Sequence, residues 1–110
     1  MNNGVMKTID VLMVRVYLTE AKAHLKSLMK RLNDEGKVRG VTVFRGIAGF
    51  GKSGHIHSSS LLDMSLDLPV VVEFFDVPAK AQSIIEELYH MVGPDHIVSW
   101  AAEVAVGDDS

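Results

Sequence analysis

Four glycines fall at Gly46, Gly49, Gly51 and Gly54, with Lys52 and Ser53 between the last two. Glycine has no Cβ, so the backbone can approach a ligand closely and present N–H groups to it. Lys52 adds a positive charge in the same place. Together they suit an anionic group such as a phosphate. The same residues also suit a flexible hairpin-like loop that needs glycine for its backbone alone. Read as strings, Gly46–Ser53 satisfies G-x-x-x-x-G-K-[ST] and Gly49–Gly54 satisfies G-x-G-x-x-G. The first requires a helix that starts at the Lys-Ser pair and receives the phosphates on its N-terminus. The residues after that pair are GHIHSSSLLDMSLDLP. Gly54 and Ser58–Ser60 disfavour a helix there, and the apolar residues form no helical stripe. The second string requires a βαβ unit whose second strand has an acidic end about twenty residues on, and no βαβ unit follows it here. Neither string is expected to build its usual site, and no nucleotide hydrolase is expected.

Other side chains nearby have chemistry of their own. His55 and His57 are two apart, so an extended backbone places them on one face, a possible zinc or copper pair. A third ligand would come from His24, His90, Asp63 or another subunit. The other reading is a ligand-contacting or pH-sensitive pair. Arg45 either reaches a ligand phosphate or pairs with Glu73 or Asp67. Phe44 and Trp100 are expected in a core or interface, with stacking on a base as the alternative. Ser58, Ser59 and Ser60 are expected to be solvated loop residues. The pairs Asp63/Asp67 and Glu86/Glu87 have no partner base or nucleophile, so no catalytic residue is assigned.

Composition bounds what can carry such a site. The chain has 110 residues, 47% of them apolar, and it has no cysteine. That excludes disulfides, thiolate metal sites and cysteine nucleophiles. Eleven basic residues against 14 acidic ones leave a net charge of −3, which argues against nucleic acid as a partner. A chain this short hides only about two-thirds of its unfolded surface. A mean hydropathy of +0.18 is high for that size. A partner chain is therefore expected to cover what one core cannot. The N-terminal stretch MNNGVMKTID lacks the apolar run of a secretory signal, and no apolar stretch approaches the ~20 residues of a membrane span. A cytoplasmic protein is expected.

The elements follow from periodicity. Residues 9–18, IDVLMVRVYL, read as a strand that is apolar on both faces. Residues 20–35 read as a helix with the stripe Ala21, Leu25, Leu28, Met29 and Leu32. Thr19 is its expected N-cap and Gly36 its stop. Residues 40–47 form a second strand. A long loop runs on to about Asp67, with a short helical turn near Leu61–Leu66. Residues 68–76, LPVVVEFFD, form a third strand. Pro78 opens a second helix with the stripe Ala81, Ile84, Ile85, Leu88 and Met91 or Val92, and Gly93-Pro94 ends it. Residues 96–106 form the last strand. The order βαββαβ predicts an α+β ferredoxin-like sandwich: a four-stranded antiparallel sheet with two helices on one face. Residues 1–8 are expected to be a flexible leader, 9–106 the single domain, about 48–67 the long loop, and 107–110 a tail.

Three segments carry a resemblance. RGIAGFG at Arg45–Gly51, Ile56-His57 and DLPVVVE at Asp67–Glu73 resemble the PII-like signalling superfamily, and most closely the domain of unknown function 190 family. The resemblance implies a ferredoxin-like homotrimer with sheets packed around a three-fold axis. It implies adenine nucleotide bound in the clefts between subunits, with no obligatory cofactor and no enzymatic activity. A T-loop at 48–67 would switch toward a membrane transporter or enzyme target. Gly49, Gly51, Lys52 and Ser53 match the PII segment at the base of the T-loop, and Lys52 stands where PII proteins carry a phosphate-binding arginine. Arg45, Gly54, His55 and His57 complete the implied ligand set. Two departures stand out. MVGPDHIVSW keeps only Gly93 of a second glycine-rich loop, with Asp95 in place of a basic residue. AAEVAVGDDS is acidic where PII proteins carry arginines. Among AMP, ADP, ATP and cyclic nucleotides as regulatory ligands, a less charged one such as AMP or a cyclic nucleotide therefore fits better than the triphosphate. The alternative is a divalent-metal trimer like the copper-tolerance branch, built on His55 and His57.

Overall fold

The computed structural model describes residues 5–19, 25–49, 57–58 and 68–107. Strand β1 spans Lys7–Thr19, β2 Gly40–Arg45 and β5 Pro69–Asp76, while β6 spans Ile97–Val106. Helix α1 covers Leu25–Lys30 and runs directly into a π-helical turn at Arg31–Glu35, and α2 covers Pro78–Val92. Two short strands, β3 (Ala48–Gly49) and β4 (His57–Ser58), pair with each other. The main sheet has the order β2-β5-β1-β6, and all its pairings are antiparallel. This is the ferredoxin-like strand order, with two helices, as the pattern of elements predicted.

Alternation along the strands sorts side chains onto two faces. Val14, Val16 and Leu18 of β1 and Val70, Val72 and Phe74 of β5 lie on one face, and all are buried. Leu28 and Leu32 from the first helical segment pack there with Ala81, Ile84 and Leu88 of α2. Each fully buried side chain of this type contributes roughly 1.5–3 kcal/mol. The expected helical stripes are therefore the core stripes, with two differences. Ala21 lies outside the described residues. Of the alternatives at the end of α2, Val92 packs against the core, while Met91 is exposed.

Several boundaries shift for local reasons. The predicted helix 20–35 is described from Leu25 onward, and its last turn is wider than an α-helix. Gly36 caps that turn with its N–H donating to Arg31 O at 2.7 Å. The chain turns left-handed one residue later, at Lys37 with φ 50. Thr19, the expected N-cap, is the last residue of β1. The predicted strand 40–47 stops at Arg45, because Gly46 turns away and donates to Pro69 O. The expected helical turn near Leu61–Leu66 lies outside the described residues. Gly93 ends α2 as predicted, with φ 81 and its N–H on Tyr89 O.

A buried carboxylate ties two elements together. Asp76, 4% exposed, accepts from Val77 N at 2.8 Å, Arg39 N at 3.2 Å and Lys80 Nζ at 3.2 Å. It joins the start of α2 to the segment entering β2. Lys80 also donates to Lys37 O at 3.1 Å, which supports the left-handed turn.

Candidate ligand site at the base of the glycine-rich hairpin

Pro69 organises the base of the loop. Gly46 N donates to Pro69 O at 2.7 Å. A Cβ on Gly46 would lie 2.8 Å from Pro69 Cγ, and one on Gly49 would lie 3.2 Å from the same atom. The pyrrolidine ring therefore occupies the space where side chains at 46 and 49 would go. This gives two of the glycines a packing reason that the sequence alone did not reveal. It also explains why the glycine-rich block and the Leu-Pro strand start belong together.

The next residues form a hairpin. Ala48 pairs with Ser58 and Gly49 with His57, antiparallel. A phosphate-binding helix beginning at Lys52-Ser53 would still be helical at His57 and Ser58. Those residues are extended instead, so the P-loop string does not build a P-loop. The hairpin reading of the glycines holds at its base. Phe50–Ile56, which include Gly51, Lys52, Ser53, Gly54 and His55, lie outside the described residues. So do His24, Asp63 and Asp67. His57 is placed through its backbone pairing alone.

The register gathers several elements at this end of the sheet. Arg45 pairs with Val70, Phe44 with Val71, and Val71 with Tyr17. Tyr17 N donates to His96 O at 2.8 Å, and the His96 ring Nδ1 lies 2.7 Å from Tyr17 O. The turn from Gly93 to His96 thus sits at the same end as the hairpin base. Asp95 within that turn is left-handed, with φ 71. Arg45 shares the helix-side face with Val70, at the end of an edge strand, and its side chain is exposed.

One expected partnership is corrected. Glu73 does not pair with Arg45, because the two residues lie on opposite faces of the sheet. Glu73 instead accepts from Arg15 Nε at 2.7 Å. That hydrogen bond, and then one to Tyr17, holds the Arg15 guanidinium above its usual pKa. The Arg15 Cζ lies 5.6 Å from the Trp100 ring centroid and 5.9 Å from that of Phe44. Phe44 and Trp100 are 45% and 41% exposed, so they do not form the core of the monomer. They lie on the sheet face opposite the helices. The sequence alone suggests no role for Arg15. Its signal was a charge at the middle of a strand that is apolar on both faces.

Among the described residues, no three histidine or carboxylate side chains cluster to hold a metal ion. His90 is exposed near the end of α2, edge-on to Tyr89 at 6.0 Å between ring centroids. A groove of about 460 Å³ lies between the end of α1 and the start of β2, lined by Met29, Leu32, Val38 and Arg39 among others. By register it is at the Asp76 end of the sheet, away from the hairpin base. No described helix is long and apolar enough to cross a membrane.

Comparison with known proteins places the fold. A protein named CPII, described as nitrogen regulatory PII-like, from Thiomonas intermedia K12 and solved with ADP, AMP and bicarbonate, superposes with a TM-score of 0.65. That match is 16% identical and covers 94% of this chain and 93% of the other. A putative PII-like signaling protein from Thermus thermophilus gives 0.54 at 18% identity, covering 92% and 93%. CutA1 from Oryza sativa gives 0.58 at 13% identity, covering 92% and 85%. In sequence, a UPF0166 protein of Aquifex aeolicus (strain VF5) is 34% identical over 88 residues, 76% of this chain and 83% of the relative. A second such match from that organism is 37% identical over 78 residues, covering 71% and 78%. The DUF190 family model, "Uncharacterized ACR, COG1993", matches residues 11–104. With the βαββαβ order, the Gly46–Pro69 loop base and a family match over residues 11–104, the chain belongs to the DUF190 family and has the PII-like ferredoxin fold.

Proposed function

We propose that the protein is a PII-like regulatory module, not an enzyme, that binds an adenine nucleotide at the hairpin base. Three copies pack through the sheet faces that the helices leave uncovered. The ligand sits in the cleft between copies. Its phosphate lies on backbone N–H groups of Gly49, Gly51 and Gly54 with Lys52, Ser53 and Arg45 beside it, and His55 and His57 flank it. Binding orders the loop at about 48–67 and alters a surface that a transporter or enzyme target reads.

The observation that carries this reading is the hairpin base itself. Gly46, Gly49 and Pro69 hold the glycine-rich block against the sheet end. CPII, with the same fold, was solved with ADP and AMP. Net acidity and Asp95 at this end favour a less charged ligand, AMP or a cyclic nucleotide, over ATP.

Calorimetry with AMP, ADP, ATP and cyclic nucleotides tests it. The expected result is saturable heat with AMP or a cyclic nucleotide, weakened at least about tenfold in Lys52→Ala, since a charge-assisted phosphate contact is lost. No heat from any adenine nucleotide would sink the proposal. Phosphate release from ATP that disappears in Lys52→Ala would replace it with a hydrolase. The CutA1 likeness supplies the second arm. Zinc or copper uptake abolished by His57→Ala, with nucleotides inert, would favour a metal trimer.

A further inference from the structure

Apart from the hydroxyls of Tyr17 and Thr42, the face opposite the helices is apolar but for one matched pair of charges. Met13, Phe44, Phe75, Val98 and Trp100 lie on it by register. Across the four-stranded part of that face, Arg15 and Glu73 are the only charged side chains among the described strand residues. They neutralise each other at 2.7 Å within one chain. Their side chains are still 39% and 20% exposed. A charged partner would find no net charge here to answer its own. A second copy of this chain would bring an equally neutral, equally apolar surface.

The guanidinium has five N–H donors in a fixed fork. Nε is on Glu73. Once the face is covered, the remaining donors lose water and need acceptors. The side-chain acceptors that this face presents around Arg15 are the hydroxyls of Tyr17 and Thr42 and the oxygens of Glu73. Among the described side chains of this face, a neighbouring copy satisfies Arg15 by bringing one of these oxygens to it. Trp100 and Phe44 flank the cation at 5.6 and 5.9 Å, and cation–π attraction strengthens as water leaves.

We propose that the Arg15–Glu73 pair, held between Trp100 and Phe44, sets the register in which copies of this chain pack through the sheet face. The inference rests on the self-association proposed above and assigns it a determinant. Glu73 makes the burial of Arg15 tolerable, and Arg15 selects the arrangement that supplies its other acceptors. Buried polar groups that specify one assembly at some cost in stability are known from coiled coils.

Sedimentation of the full chain over a dilution series tests this, with wild type, Arg15→Met and Arg15→Met/Glu73→Leu compared. Far-UV circular dichroism at low concentration checks that each variant keeps its fold. The single variant leaves a carboxylate to be buried without its cation. Its assembly should dissociate at concentrations about a hundredfold or more above wild type. The double variant should recover that loss but spread over several stoichiometries. A single variant that assembles as tightly as wild type overturns the inference. So does a double variant with one wild-type stoichiometry, and so do equal losses in both variants. Each of those results leaves self-association standing. A wild type that stays monomeric at millimolar concentration overturns both, and an apolar dye bound to that monomer would mark a different occupant of the face.

Discussion

Pro69 shows how one ring can dictate two neighbours. Its Cγ would lie 2.8 Å from a Cβ at position 46 and 3.2 Å from one at position 49. Gly46→Ala should therefore cost about 1–3 kcal/mol of unfolding free energy, the usual penalty of overpacking. Removing the ring in Gly46→Ala/Pro69→Ala should return part of that cost, because the two sites share one space. A denaturant double-mutant cycle measures the coupling, and strict additivity would sink the account. The glycines themselves stood out in the sequence. Their packing reason was not, because Pro69 lies 23 residues from Gly46 and the contact exists only once β2 and β5 pair. The exclusion of Glu73 from the alternatives for Arg45 has the same origin. Sequence order offered Arg45, but the period-two alternation of β2 puts Arg45 on the far face, and β1 brings Arg15 instead.

At the scale of elements, strong periodicity was readable and loop interiors were not. β1, β5, α2 and β6 could be placed because each carries an apolar pattern of one period over eight or more residues. The two-residue pairing of β3 with β4 has no such pattern; it is long-range backbone pairing within a glycine-rich stretch. This hairpin predicts a separation of roles. Replacing Phe50–Ile56 by Asn-Gly, which favours a tight two-residue turn, should leave the sheet intact. The melting temperature should move by no more than a few degrees. The heat of nucleotide binding should vanish, since Lys52 and two glycines of the proposed cradle are gone. Retained binding would move the ligand site away from the hairpin tip.

At the scale of the whole molecule, the uncovered sheet face accounts for the excess of apolar residues. The core lies on one side of the sheet, while Phe44, Val98 and Trp100 are 45%, 49% and 41% exposed on the other. Trp100 is the only tryptophan, so it reports on that face alone. Its emission should shift to the red on dilution, at the concentration where sedimentation shows the proposed trimer separating into 12.0 kDa chains. Emission that stays unchanged while the assembly dissociates would place the interface elsewhere.

The sequence by itself determined the order of elements, the stripes that make the core, the concentration of glycine after β2 and the surplus of apolar surface. These are local properties, set by periodicity, glycine content and composition. Only the tertiary structure decided which face each strand residue takes in the paired sheet, that Pro69 fills the space beside Gly46 and Gly49, and that Arg15 is the cation Glu73 holds. Those are relations between residues far apart in the chain. Strand register decides them, and a shift of one residue would have sent each side chain to the opposite face.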